Sequence, residues 1–175
     1  MKFTEFSEGM PMGKILNLDL DGVIVDLDTL VRERTGTHWK EQPSSSKMWA
    51  IIREVIPDMF VIANPMKDAK QLVAGVLAFA DENGLTVEIL TAVPKLATFP
   101  QAVEQKKQWL SMHFPELAAL KFKIGPHAVD KQKHAGPGDI LIDDNHMNIE
   151  QWDAAGGIAI YHKNATSSLA ALYSL

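Results

Sequence analysis

Short apolar runs alternate along this chain with longer stretches in which apolar residues recur every three or four positions. Ile15 to Leu20 is almost wholly apolar and runs into acidic residues and Gly22, the pattern of a buried strand entering a tight loop. Thr86 to Leu90, Asp139 to Ile142 and Gly157 to Tyr161 repeat the pattern, and Phe122 to Ile124 repeats it weakly. Between them, Asp68 to Ala80 places Leu72, Val73, Val76, Leu77 and Ala80 on one helical face and stops at Asn83-Gly84. Gln101 to His113 does the same with Ala102, Val103, Lys106, Trp109 and Leu110, and Phe114-Pro115 closes it. Ile149 to Ala155 suits a further short helix. Strands alternating with helices predict an α/β domain: a doubly wound, Rossmann-like parallel sheet of about five strands with helices on both faces.

The stretch from Asp28 to Pro65 breaks this rhythm. It holds a charged helix-like portion at Leu30 to Arg34, a polar turn at Pro43 to Ser46, and an apolar portion with Trp49, Ile51, Ile52 and Phe60. It reads as a small cap insertion, with residues 1–27 and 66–175 forming the core and 28–65 the cap. A chain of 175 residues suits one such core rather than two independent domains.

Composition narrows the function classes. The formal net charge of −5 provides no general attraction to long nucleic acid or to an anionic membrane. With no cysteines, disulfides, thiolate metal sites and cysteine nucleophiles are excluded, and the cytoplasm is the default expectation. No run approaches the roughly 18 apolar residues of a membrane span, and the first dozen residues read as a short leader. The six histidines are scattered without metal-ligand spacing, which argues against zinc.

The chemistry gathers at strand ends. In a doubly wound sheet, ligands bind beyond the carboxyl ends of the strands, where strand order reverses. Asp19 and Asp21 end the first strand, Thr91 the second, and Asp143 and Asp144 the fourth. Strand alternation puts Asp19 and Asp21 on one side and Leu20 toward the core, so the two acids can share one site. Clustered carboxylates repel unless a cation neutralises them, and oxygen-only ligation suits magnesium. Thr91 offers a hydroxyl, and Lys131 or Lys133 a positive charge, to a phosphate whose oxygens need stabilisation.

These residues resemble the haloacid dehalogenase (HAD) superfamily. LDLDGVIVD at Leu18 to Asp26, LTAVP around Thr91, Lys131, and LIDD at Leu141 to Asp144 are similar to its four motifs, in the same order. The spacing through NPMKDA, ILTAVPK and GDILIDD is most similar to the 5′(3′)-deoxyribonucleotidase branch with its phage and bacterial relatives. The resemblance implies Asp19 as the nucleophile that becomes an aspartyl-phosphate and Asp21 as the general acid and base. It implies magnesium on Asp19, on the Asp21 backbone carbonyl and on Asp143, with Asp144 in support. It also implies phosphate contacts from Thr91, the Ala92 backbone N–H and Lys131. Lys133 remains an alternative, because it restores a shorter spacing to LIDD.

Two departures stand out. Ala92 occupies the position where the nucleotidases commonly carry serine, and Val129-Asp130 precede Lys131 where they carry a basic residue. The expected activity is that of a phosphomonoesterase on a small phosphorylated metabolite, with a nucleoside monophosphate favoured. A sugar phosphate or other small phosphoester, and a non-catalytic phosphate-binding relative, are the alternatives. Trp39, Trp49 and Phe60 are the candidates for substrate specificity, since a cap aromatic either stacks a substrate ring or buries the cap's own small core. Trp109 reads as core. Oligomerisation through the cap or through Ala165 to Leu175 has no support in the sequence.

Overall fold

A computed structural model describes residues 14–38, 45–95, 97–125 and 128–175. Trp39, with Pro43 and Ser44 of the expected polar turn, lies outside the described residues.

Five parallel strands form the central sheet: β1 (Ile15–Leu18), β4 (Thr86–Ala92), β5 (Phe122–Gly125), β6 (Ile140–Asp143) and β7 (Ile158–Tyr161). Their spatial order is β5-β4-β1-β6-β7, so the chain winds outward from β1 through β4 to β5, then returns to the other side of β1 for β6 and β7. Strand order therefore reverses between β1 and β6, where such folds open a crevice. Alternation along the strands serves two faces. Leu16, Leu18, Ile89, Ile140 and Ile142 join the main core, while Leu90 and Leu141 pack with Trp152 on the opposite side.

The crossovers follow the apolar periodicity. Helix α4 (Ala69–Asn83) buries Leu72, Val73, Val76, Phe79 and Ala80 and ends at Gly84, whose left-handed backbone lets its N–H reach the Ala80 and Asp81 carbonyls. Helix α5 (Ala102–His113) buries Ala102, Lys106, Trp109 and Leu110, and α6 (Pro115–Ala118) follows it. A 3₁₀ turn (Ala128–His134) leads to β6. Helix α7 (His146–Ala154) starts earlier than periodicity suggests, because the Asn145 side chain accepts a hydrogen bond from Met147 N and caps it. Helix α8 (Ala165–Leu172) packs back toward α4, with the Asp68 carboxylate accepting from Ala165 N at 2.6 Å.

The departure from the sheet begins and ends in a short antiparallel ribbon, β2 (Val25–Asp26) against β3 (Asn64–Pro65). Between these strands lie α1 (Leu27–Thr35), α2 (Ser45–Val55) and α3 (Met59–Ile62). Two differences from the sequence expectation have physical causes. Ser45 and Ser46 lie in α2, consistent with serine's preference for helix starts as much as for turns. Among the described residues of the insertion, Leu30, Val31, Ile52, Ile56, Met59 and Phe60 belong to the same continuous apolar cluster as the sheet.

Candidate active site

The site grows from the end of β1. Backbone pairing continues one residue past the strand, as Asp19 N donates to the Ile142 carbonyl at 3.1 Å. The chain then turns sharply, with the N–H groups of Val23, Ile24 and Val25 all directed at the Leu20 carbonyl. Gly22 makes the turn possible twice over. Its φ of 78° lies in the left-handed region, and a Cβ here would collide with the Asp144 carboxylate. The glycine thus lets the loop after β1 approach the loop after β6.

That approach brings acids together. Carboxylate oxygens of Asp19, Asp143 and Asp144 lie within 4.8 Å of one another. Asp143 is fully buried and heavily bonded: Oδ1 accepts from Asn145 N at 2.8 Å, and Oδ2 accepts from Lys131 Nζ at 2.6 Å and Asn148 Nδ2 at 2.9 Å. Lys131 Nζ also pairs with Asp19 Oδ1 at 2.8 Å. Burial, with the neighbouring Asp143 and Asp21 carboxylates, raises the Asp19 pKa to about 7 against the opposing pull of Lys131. Burial alone disfavours the Lys131 ammonium, but Asp19 and Asp143 together outweigh it and hold its pKa above the ordinary value. One cation against two buried acids leaves excess negative charge. The all-carboxylate donor set and this charge excess fit a hard divalent cation such as magnesium.

Asp21 sits apart from this pair. Its Oδ2 accepts from Lys106 Nζ at 2.5 Å, while Oδ1 is buried without a hydrogen-bond partner. Lys106 also donates to Thr91 Oγ1 at 2.9 Å, and its ammonium lies 4.8 Å from the Phe60 ring centroid. Leu20, Asp21, Val25, Phe60, Lys106 and Trp109 line a shallow recess beside Asp21.

The structure therefore gathers Asp19, Asp143, Asp144 and Lys131 in one cluster and links Asp21 to Thr91 through Lys106. Ala92 ends β4, half-buried, beside Gly125. Lys133 is exposed and pairs with Asp130 at 2.8 Å, away from both groups. Trp49 is half-buried in an aromatic trio, its ring centroid 6.2 Å from Phe60 and 6.3 Å from Phe99, while Phe60 and Phe99 meet edge to face at 5.3 Å. Trp109 is buried, as its helix face suggests, and its Nε1 donates to the Ala63 carbonyl at 2.7 Å.

Sequence reasoning missed the roles of Lys106, Asn145 and Asn148. For Lys106 a signal existed: a lysine in the apolar stripe of a helix needs a buried partner. Asn148 carried no comparable signal, because its contact with Asp143 depends on how α7 leaves β6.

An acid cluster at the switch point of a doubly wound sheet, with two buried lysines, places this protein among the HAD-type hydrolases acting on phosphomonoesters. The chain belongs to the 5′ nucleotidase, deoxy (pyrimidine), cytosolic type C protein (NT5C) family, whose model matches residues 13–168. Among solved structures, a hydrolase from Streptococcus pneumoniae TIGR4 is 12% identical with a TM-score of 0.51, covering 93% of this chain and 98% of that one. It shares the fold. A HAD-superfamily hydrolase from Ehrlichia chaffeensis (13% identity, TM-score 0.49, coverage 95% and 98%) is also similar. So is an uncharacterized protein from Corynebacterium glutamicum (15% identity, TM-score 0.48, coverage 93% and 96%). A comparison with curated proteins found no match. Among the described residues, no helix is long and apolar enough to cross a membrane.

Proposed function

We propose that this enzyme is a magnesium-dependent phosphomonoesterase that works through an aspartyl-phosphate on Asp19 and acts on a (deoxy)nucleoside monophosphate. The observation that carries this reading is the separation of two acids two positions apart in sequence: Asp19 lies with Lys131 and Asp143, and Asp21 is held independently by Lys106. A nucleophile and a proton donor need such different surroundings.

In this reading an Asp19 carboxylate oxygen attacks phosphorus, the bond to the leaving oxygen breaks, and Asp21 gives that oxygen its proton. Asp21 then takes a proton from water as the water attacks phosphorus, the Asp19–phosphorus link breaks, and inorganic phosphate leaves. Lys131, the Thr91 hydroxyl and the Ala92 backbone N–H bind the phosphate oxygens. Asp19, Asp143 and the Asp21 backbone carbonyl would hold magnesium, with Asp144 supporting. When bound, the cation offsets the cluster's negative charge and draws charge from a phosphate oxygen.

Residues 28–65 serve as the cap that reads the rest of the substrate, since the strand-end residues are occupied by phosphate and metal. The family's description supports a nucleotide. One observation favours a sugar phosphate or other small phosphoester instead: Phe60 is 2% exposed, and its ring is engaged by Phe99, Trp49 and Lys106 rather than free to stack a base.

The test is hydrolysis of an aryl phosphate, with and without magnesium, followed by a panel of nucleotides and sugar phosphates. Activity should vanish in chelator, and Asp19→Asn should abolish turnover and phosphoenzyme trapping while the fold survives, because the amide is nearly isosteric but a poor nucleophile. Turnover by Asp19→Asn within a few-fold of wild type would refute the mechanism. Nucleotides ranking below sugar phosphates would select the second reading.

A further inference from the structure

We propose that Lys106 is a positioning residue that sets Asp21 for proton transfer and Thr91 for phosphate contact, which rests on reading Asp21 as the leaving-group acid. Lys106 is 2% exposed on the apolar stripe of α5, where a leucine or methionine would fill space at no electrostatic cost. Its polar partners are two groups of the candidate site, Asp21 and Thr91. The ammonium occupies one Asp21 oxygen, Oδ2, and leaves the other, Oδ1, buried without a partner. The bond thereby fixes the orientation of the carboxylate, which a proton donor to a leaving oxygen needs. The same ammonium donates to a Thr91 lone pair, so the Thr91 proton must point elsewhere; it faces the Ala92 carbonyl at 3.4 Å, a long contact that a phosphate oxygen can displace.

The arrangement also ties the acid to the insertion. The ammonium lies over the Phe60 ring, and the adjacent Gln105 accepts from Phe60 N at 3.3 Å and donates to the Pro57 carbonyl at 2.8 Å. Neighbouring side chains on α5 thus fix the insertion and the acid together.

The test compares wild type, Lys106→Met, Asp21→Asn and the double variant on p-nitrophenyl phosphate, whose leaving group needs little protonation, and on an alkyl phosphate, whose leaving group needs it. Asp21→Asn should lose on the order of 10²-fold or more in kcat/KM on the alkyl ester and much less on the aryl ester. Lys106→Met should show the same bias, with a loss about 10-fold greater on the alkyl ester. In the Asp21→Asn background it should lose its bias between the two esters, because the acid it positions is gone, and keep only the loss through Thr91, equal on both esters. Lys106→Arg, which keeps the charge, should restore part of the alkyl activity. Melting curves establish folding, and Lys106→Gln serves the same comparison if the methionine variant does not fold. Equal losses on both esters for Lys106→Met, with Asp21→Asn still discriminating, would overturn the positioning role alone. An Asp21→Asn variant that did not discriminate would remove the acid reading, and this proposal with it.

Discussion

Lys131 and Lys106 are both withdrawn from water, at 1% and 2% exposure, yet they keep different company. Lys131 lies between two carboxylates that are themselves buried, with side chains 7% and 0% exposed. Lys106 meets an Asp21 side chain that is 30% exposed, a neutral hydroxyl and an aromatic face. The strength of a charge pair depends on the medium around it as much as on its distance. The Lys131 cluster is therefore the one in which deleting a partner exposes the whole cost of burying charge, whereas the part-exposed Asp21 side chain keeps some access to water.

The largest expected effect follows directly. Lys131→Met strands two buried carboxylates and should destabilise the metal-free protein by about 3–5 kcal/mol, the range for breaking a buried pair. Lys106→Met should cost clearly less. Urea unfolding in chelator measures both, and the reverse order would break the comparison.

A middle-sized effect concerns the insertion beside Lys106. Trp49 is only half-buried, and Trp49→Ala should raise KM for nucleotides by roughly 10-fold, at about 1–3 kcal/mol for a base on an aromatic, with little change for an aryl phosphate. Phe60→Ala should reduce both activities in parallel, because the ring packs against Phe99 and carries the Lys106 ammonium. Parallel losses for Trp49→Ala as well would mean that both rings only hold the insertion in place.

The Lys131 side also carries a slope with pH. Asp19 has its pKa raised from 3.8 to about 7 in the native, metal-free site, first by burial and then by the Asp143 and Asp21 carboxylates against Lys131. Between those values the folded state binds more protons than the unfolded state, so the Asp19 contribution is fully present below the lower value and is lost as pH rises through the upper one. The melting temperature of wild type relative to Asp19→Asn should fall across that window, and magnesium should flatten the fall by favouring the carboxylate. A difference that rises with pH would contradict the electrostatics assigned to the Lys131 side.

Much of this was legible beforehand. The apolar periods of the α4 and α5 regions and the runs at Ile15, Thr86 and Asp139 are local properties, and the elements formed where they pointed. The acids and Gly22 were legible because the chemistry demands those residue types at strand ends. The alternative between Lys131 and Lys133 could not be closed by spacing, since the two lie on one short 3₁₀ turn and only its packing sends one inward and one to solvent. The alternative at the insertion's aromatics, a ring for substrate or a ring for packing, stayed open for a related reason: an apolar ring is claimed by whichever apolar neighbours the fold supplies, and Phe99 packs edge to face against Phe60.

By itself, then, the sequence determined which segments become strands and helices and that carboxylates would collect at the strand ends. These follow from the period of the side chains and the order of the segments. Only the tertiary structure decided how the charges are shared. Lys106 and Asp21 stand 85 residues apart, and nothing in the spacing of either predicts the other. They meet because α5 must turn its apolar stripe to the main core to bury Trp109 and Leu110, and that same rotation carries the ammonium on the stripe to Asp21, just past β1.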